Sequence, residues 1–282
     1  MYILGLFIQS MSIVIYSFIL DPVHYGYNFV ITPFGGGIIN SPSVSNLLAV
    51  VFSFFFYFLL YGKNKITIVV SYIIVVSSFI GAIYLGGRAF FIITACAILF
   101  YIVFHKNNNV LKILLYIALL FILITITTII VFQGIDKDFV GFLTGRFLSI
   151  HNSRRIDLYV YGIIMIPNYP FGGFTVDQNI APVASLHHFI LDSARVAGWI
   201  PVIIFISALF YLGRKVFSIK HKTEYLLPIC LIIVTLLLMS QDVVLEGNYR
   251  LLIVFTYASV ILFSEKQNTN ENMNISIEDS NK

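Results

Sequence analysis

The stretch SNLLAVVFSFFFYFLLYGKNKITIVVSYIIVVSSFIGAIYLGGRAFFIITACAILFYIVFHK, residues 45–106, decides the fold. It carries three apolar runs, near 43–61, 66–85 and 89–104, separated only by short punctuation around Gly62 and Gly86. A helix that crosses a bilayer needs about 20 apolar residues. The three runs have that scale, and the stretch contains no acidic residue at all. Outward from it, further runs lie near 1–20, 111–133, 197–213, 225–241 and 250–264. Eight spans would use about 160 residues and leave about 120 for loops and tails. The whole chain is 59% hydrophobic and 11% charged, where a soluble domain averages about 25% charged residues. So few charges cannot cover a water-exposed surface, which excludes a soluble globular enzyme. The expectation is an all-α integral membrane protein of about eight transmembrane helices, with a polytopic membrane domain over residues 1–264.

The first run begins at Met1 without a basic region and includes Gln9, Ser10 and Ser12. It reads as a packed helix rather than a signal peptide. Cys96 and Cys230 lie inside apolar runs, form no disulfide or zinc pattern, and read as small buried hydrophobes. No internal repeat is evident. Residues 265–282, rich in Asn, Glu and Ser, read as a disordered cytoplasmic tail.

Basic residues divide by loop. Lys63, Lys65, Lys106, Lys112, Arg214, Lys215, Lys220, Lys222, Lys266 and Lys282 follow alternate runs and make up ten of the 17 Lys and Arg. The positive-inside preference puts these loops and both termini in the cytoplasm. The opposite loops, 21–42, 86–88, 134–196 and 242–249, hold or adjoin Arg88, Lys137, Arg146, Arg154, Arg155, Arg195 and Arg250. Lysine suffices for retention, so arginine on the translocated side asks for another reason. Bidentate capture of phosphate or carboxylate supplies one. Pairing with Asp136, Asp138, Asp157, Asp177, Asp192, Asp242 and Glu246 is the plainer alternative.

Residues 134–196 form a loop of a length that is usually functional or disordered. The stretch RRIDLYVYGIIMI, residues 154–166, sets Ile156, Tyr159, Val160, Ile163 and Ile164 at helical spacing. Leu158, Tyr161 and Met165 take the other side. The expected helix is half-buried, at the membrane interface or against the bundle, and ends at Pro167 and Pro170. PFGGFT, from Pro170 to Thr175, makes a tight turn; so few glycines are weak evidence for a phosphate loop. A second helix is expected from about Ser185 into the sixth span. It would bring together His188, Asp192 and Arg195 at i,i+4 and i,i+3 spacing. His187 and Gly198, three turns apart, would share a face. Two histidines beside an Asp and an Arg at the mouth of a bundle are candidates for acid–base or ligand roles; fixing the loop is the structural alternative. Asp136-Lys137-Asp138 mimics the D-x-D of nucleotide-sugar transferases. That motif belongs to a cytosolic α/β domain this sequence lacks, and surface charge is the better reading.

The segments NSRRIDLYVYGIIMIPNYPFGGF and LHHFILDSARVAGWIP resemble the O-antigen ligase and O-antigen polymerase superfamily. Arg155, Tyr159, Pro170, Gly173, His187, Leu191 and Gly198 fall in that family's order and spacing. Gly86 to Ala89 resembles its Ser-Arg-Gly-Ala element and matches Arg88. The stretch GGGIINSPSVSNLLAVV resembles its Gly-x-x-x-Asn-Pro-Asn element. The resemblance covers about residues 30–213. His188 replaces the usual Asn, and the acidic residue often near Val196 is absent. Members usually have ten or more spans; any missing ones would lie upstream of Met1, in a chain that is either truncated or unusually short.

The resemblance implies a GT-C-like fold and a metal-independent glycosyltransferase of the bacterial inner membrane, with no cofactor. An oligosaccharide on undecaprenyl diphosphate would pass to a sugar hydroxyl on the outer face. Arg88, Arg146, Arg154, Arg155, Arg195 and Arg250 would bind substrate and offset the charge of the leaving diphosphate. His187 would be the general base, with His188 and Asp192 as alternatives. The implied partners are the lipid-linked donor, the bilayer and a chain-length regulator, with no nucleic acid. An O-antigen or capsule polymerase is expected over a ligase that uses a lipid A core. A transporter or flippase is the reading from a different class; it calls for charges within spans or inverted repeats.

The topology has a direct check. With an impermeant thiol reagent on intact cells, Asn152→Cys should label and Asn107→Cys should not; the reverse pattern overturns the orientation.

Overall fold

A computed structural model describes residues 1–20, 29–35, 37–104, 155–177, 185–219, 223–242 and 248–280, with single positions at 126, 130, 141, 145 and 244. The described residues are mostly helical. In chain order the helices are α1 (Tyr2–Leu20), α2 (Ser41–Tyr61), α3 (Lys65–Tyr84), α4 (Arg88–Phe104), α5 (Arg155–Met165), α6 (Phe189–Ala197), α7 (Trp199–Ile219), α8 (Leu226–Met239) and α9 (Tyr249–Ser280). Helices α1, α2, α3 and α7 are long and apolar enough to cross a membrane. The apolar stretches Arg88–Phe104, Leu226–Met239 and Tyr249–Ser264 are shorter. This architecture is compatible with an all-α membrane protein. The apolar run 111–133 lies outside the described residues. The polar tail after Ser264 belongs to the helical backbone of α9 as far as Ser280.

Local chemistry sets the helix ends. Pro42 stands in the first turn of α2, where a missing N–H costs nothing. Asn64 caps α3, its side chain accepting from the Ile66 amide at 3.0 Å, one of the donors that a helix start otherwise leaves unpaired. One departure from an all-helical chain is a small hairpin, β1 (Phe29–Ile31) antiparallel to β2 (Ile38–Asn40). The turn at Gly35, at φ +86, opens this segment; β-branched Val30, Ile31, Ile38 and Ile39 then favour extended backbone over a longer α2.

The main core is built on α2, whose Leu48, Val50, Phe52 and Phe56 are buried. Phe52 stacks on Phe56 and meets Phe90 of α4 edge to face. Close backbone approach joins α2 to the α3–α4 link: a Cβ at Gly87 would overlap the Ser45 side chain. Tyr101, near the end of α4, donates to the Ser53 carbonyl at 3.1 Å and packs with Tyr57 and Tyr61 near the end of α2. Thus α2 and α4 run parallel, with α3 antiparallel between them in sequence. Helices α7 and α9 also run parallel, through Phe205 on Phe255 and Tyr211 on Phe263. Cys230 is buried and Cys96 half-buried, both as free thiols.

A polar clasp closes one end of the bundle. Asp242, between α8 and α9, is 6% exposed. Its Oδ2 accepts from the side-chain amides of Asn46 at 2.8 Å and Asn248 at 2.9 Å, while the Ser43 hydroxyl donates to Oδ1 at 3.4 Å. An orphaned buried donor costs about 1–3 kcal/mol; Asp242→Ala would orphan the Asn46 amide and leave Asn248 only its 3.5 Å contact to the Ser43 carbonyl. This variant should therefore melt well below the parent in detergent, whereas Ser43→Ala, which removes only the longest of the three contacts, should change the midpoint little.

Candidate functional site

Helix α5 forms where the spacing of residues 154–166 predicts it. Ile166–Asn168 adds a single tight turn, and Pro167 stops the α-helix. The face that packs is Leu158 and Gly162, with Tyr161 and Met165 beside them. They join Phe174, Val176 and Leu186 in a small second core. Gly162 permits the approach of Leu186, whose Cδ1 would lie 2.7 Å from a Cβ there.

The second loop helix differs from expectation. Helix α6 begins at Phe189, with His188 extended at its cap, and ends before Gly198 at φ +74. His187 therefore precedes the helix and shares no face with Gly198. The cause is Asp192, 3% exposed. Its Oδ1 accepts from the Leu186 amide at 2.8 Å, and its Oδ2 accepts from the His188 amide at 3.3 Å. The carboxylate thus straddles His187, which adopts φ +54, the only positive φ outside glycine among the described residues. Side-chain capping of this kind competes with helix propagation. The expected His188–Asp192 side-chain pair is accordingly a carboxylate bonded to the backbone of His188. Arg195 completes the set, its Nε 3.1 Å from Asp192 Oδ1.

The turn from Pro170 to Gly173 fastens α5 to this corner. The Trp199 amide donates to the Pro170 carbonyl at 3.0 Å, and the Gly173 amide to the Arg195 carbonyl at 2.7 Å. Gly172, at φ +77, faces backbone at 2.7 Å, and a Cβ on Gly198 would overlap the Pro170 carbonyl. These two glycines serve close backbone packing.

Arg155 and Tyr159 attach α5 to the bundle end. Arg155 Nη1 donates to the Gln241 carbonyl at 2.9 Å. The Tyr159 hydroxyl lies 3.1 Å from the Ser240 carbonyl and 3.4 Å from the His187 carbonyl. The Tyr159 ring stands edge to face against His188, 5.4 Å between centroids. Burial raises the Tyr159 pKa, opposed by Arg155. The His188 Nδ1 atom is buried with no hydrogen-bond partner among the described residues. Burial lowers the His188 pKa from 6.5, against the opposing Asp192 carboxylate.

The structure thus gathers Arg155, Tyr159, His187, His188, Asp192 and Arg195 into one connected unit. Arg88 starts α4 beside the Gly87–Ser45 contact, and Arg250 follows the clasp residue Asn248 in the first turn of α9, 5.8 Å over the Tyr249 ring. Both share the unit's end of the bundle. Lys63, Lys65, Arg214 and Lys215 stand at the opposite ends of α2, α3 and α7. Arg146 and Arg154 lie outside the described residues. So do Asp136, Lys137 and Asp138. Among the described residues, no three of His, Cys, Asp and Glu gather as a metal site. Sequence reasoning missed the Asp242–Asn46–Asn248 clasp; its signal was the isolated Asn46 in an apolar run opposite an acid in a short loop.

The chain matches no protein-family model, no curated protein and no solved structure.

The pH dependence of the His188 corner follows from its lowered pKa. Below about pH 6.5 the unfolded chain takes up a proton that the folded corner resists. The stability present above the unfolded value is therefore lost as pH falls through it toward the folded one. The thermal midpoint should drop between about pH 7.5 and about pH 5.5, and His188→Phe, read over the same range, should flatten the drop.

Proposed function

We propose that this chain is a polytopic inner-membrane glycosyltransferase of the O-antigen polymerase type. It transfers an oligosaccharide from undecaprenyl diphosphate to a sugar hydroxyl on the outer face. One observation carries the reading: arginines from four separate elements, Arg88, Arg155, Arg195 and Arg250, stand at one end of the bundle with the His187–His188 corner. In this reading that end faces outward and the lysine-bearing end faces the cytoplasm.

A leaving diphosphate develops negative charge, and preorganised cations stabilise it without a metal. Arg155 and Arg88 are the proposed principal ligands, with Arg195 and Arg250 beside them and Arg146 and Arg154 as further candidates. His187, half-exposed and held in a fixed turn, is the proposed general base. His188, with its lowered pKa, stays neutral and is the alternative. Asp192 is a positioning residue, because its oxygens hold the turn. The acceptor distinguishes the polymerase from a ligase: cells lacking the protein would carry one repeat unit on the core in the first case, and unattached long lipid-linked chains in the second. A flippase would want its charges within spans, and the described charges stand at helix ends and in loops.

Guanidinium shape is the critical property. A charge-assisted contact is worth about 1.5–3 kcal/mol, about tenfold to a hundredfold in rate, and Lys cannot form the two-pronged contact. Arg155→Lys and Arg88→Lys should abolish visible polymer at normal expression; full-length polymer from both would refute the diphosphate clamp. His187→Ala should cost about 10²–10⁴-fold in an assay of purified protein with lipid-linked substrate. EDTA should leave the parent active, and loss on chelation restored by Mg²⁺ would replace the metal-free mechanism.

A further inference from the structure

Helix α5 turns its strongest apolar stripe away from the protein. Ile156, Val160, Ile163 and Ile164 are 69%, 51%, 60% and 61% exposed. At 3.6 residues per turn they form one face, and the packed Leu158–Gly162 face lies on the other side of the helix. Phe171, in the turn that follows, is 86% exposed. Soluble surfaces rarely keep contiguous apolar patches of this kind without a partner.

The surroundings of α5 set its height. Its first turns are bonded to Gln241 and Ser240 at the end of the bundle. The turn after it is bonded to Trp199, the first residue of α7. Helix α6 folds back along α7, with Phe189 against Phe205 at 4.8 Å, about 9 Å below Trp199 along the helix axis at 1.5 Å per residue. The loop unit therefore sits alongside the first turns of a helix long and apolar enough to cross a membrane, not beyond its end. Over those turns α7 leaves Ile200, Ile203 and Ile204 exposed. Trp199 at the start of the span has the amphipathic character of an interfacial anchor.

We propose that α5 lies in the plane of the membrane, its Ile156–Val160–Ile163–Ile164 stripe and Phe171 seated among the acyl chains of the leaflet that α7 enters at Trp199. The occupant is lipid, because the turn that ends α5 is bonded to the first residue of a candidate span whose own first turns leave isoleucines exposed. The flanks of α5 then carry polar groups at headgroup level, with Arg155 and Tyr159 on one side and Asp157 and Tyr161 on the other. This is the arrangement of an interfacial helix. The placement stands whether or not the chain transfers sugars, since it uses no reactive group.

Trp199 is the single tryptophan of the chain, which makes a test by fluorescence direct. In a Trp199→Phe background, Ile163→Trp and Ile156→Trp are each placed in the full chain and reconstituted into phosphatidylcholine vesicles. Lipids brominated near the top of the acyl chain should remove most of the emission at both positions, and iodide should remove little. Missing bromolipid quenching at either position overturns the proposal: with iodide quenching the stripe faces water, and without it another protein surface covers the stripe. Should one variant misfold, the other decides alone.

Discussion

In hydrocarbon, every backbone N–H and C=O must be satisfied within the protein, and a bundle whose α1, α2, α3 and α7 are long and apolar enough to cross a membrane is compatible with that constraint. Apolar runs bounded by short polar links can meet it as helices. Some polar side chains inside those helices turn back on their own backbone. The hydroxyls of Ser53, Thr94 and Thr235 each donate to the carbonyl four residues earlier at 2.7 Å. Full charges have no such recourse, so the described charges gather at helix ends and in loops. Asp242 is buried at such an end, and it is tolerated because Asn46 and Asn248 both donate to it. That clasp joins the start of α2 to the α8–α9 link and thereby forms the floor against which the loop unit rests.

The runs near 43–61, 66–85 and 89–104 became α2, α3 and α4 within a few residues, and 154–166 became α5, because apolar period and punctuation are local properties of the chain. The hairpin and the start of α6 were not legible in the same way. Residues 185–197 have helical spacing throughout, and spacing alone carries the helix back to Ser185. What stops it is one carboxylate that bonds two backbone amides, a competition that periodicity does not register. The clasp was harder to read for another reason: Asp242 and Asn46 are 196 positions apart, so the isolated Asn46 marks a polar need without naming its partner. The same limit applied to Arg155, whose place on α5 could be read but whose bond to the Gln241 carbonyl could not.

The loop unit owes its rigidity to contacts that leave no room for alternatives. Gly172 and Gly198 sit at positive φ and face backbone, so any side chain at either must push two segments apart. Through them the Pro170 turn is fixed to the start of α7, and through Gly173 to Arg195. Leu186 is fully buried against Gly162. A shift of α5 would therefore carry the histidine corner with it, and Tyr159, placed between Ser240 and His187, ties both to the bundle.

His187 is where this rigidity acts on a reactive side chain. A left-handed conformation is uncommon outside glycine and costs of order 1–3 kcal/mol, so surrounding bonds must hold it. Asp192 does this from both sides, accepting from the residue before His187 and the residue after it. The same carboxylate holds Arg195 at its Oδ1 atom. One buried acid thus sets the direction of an imidazole and the position of a guanidinium together. Its burial excludes competing solvent and strengthens each bond it makes. An acid spent this way is poorly suited to moving protons itself. For that reason the chemistry proposed for this corner falls to the histidines, and the geometry that aims them falls to Asp192.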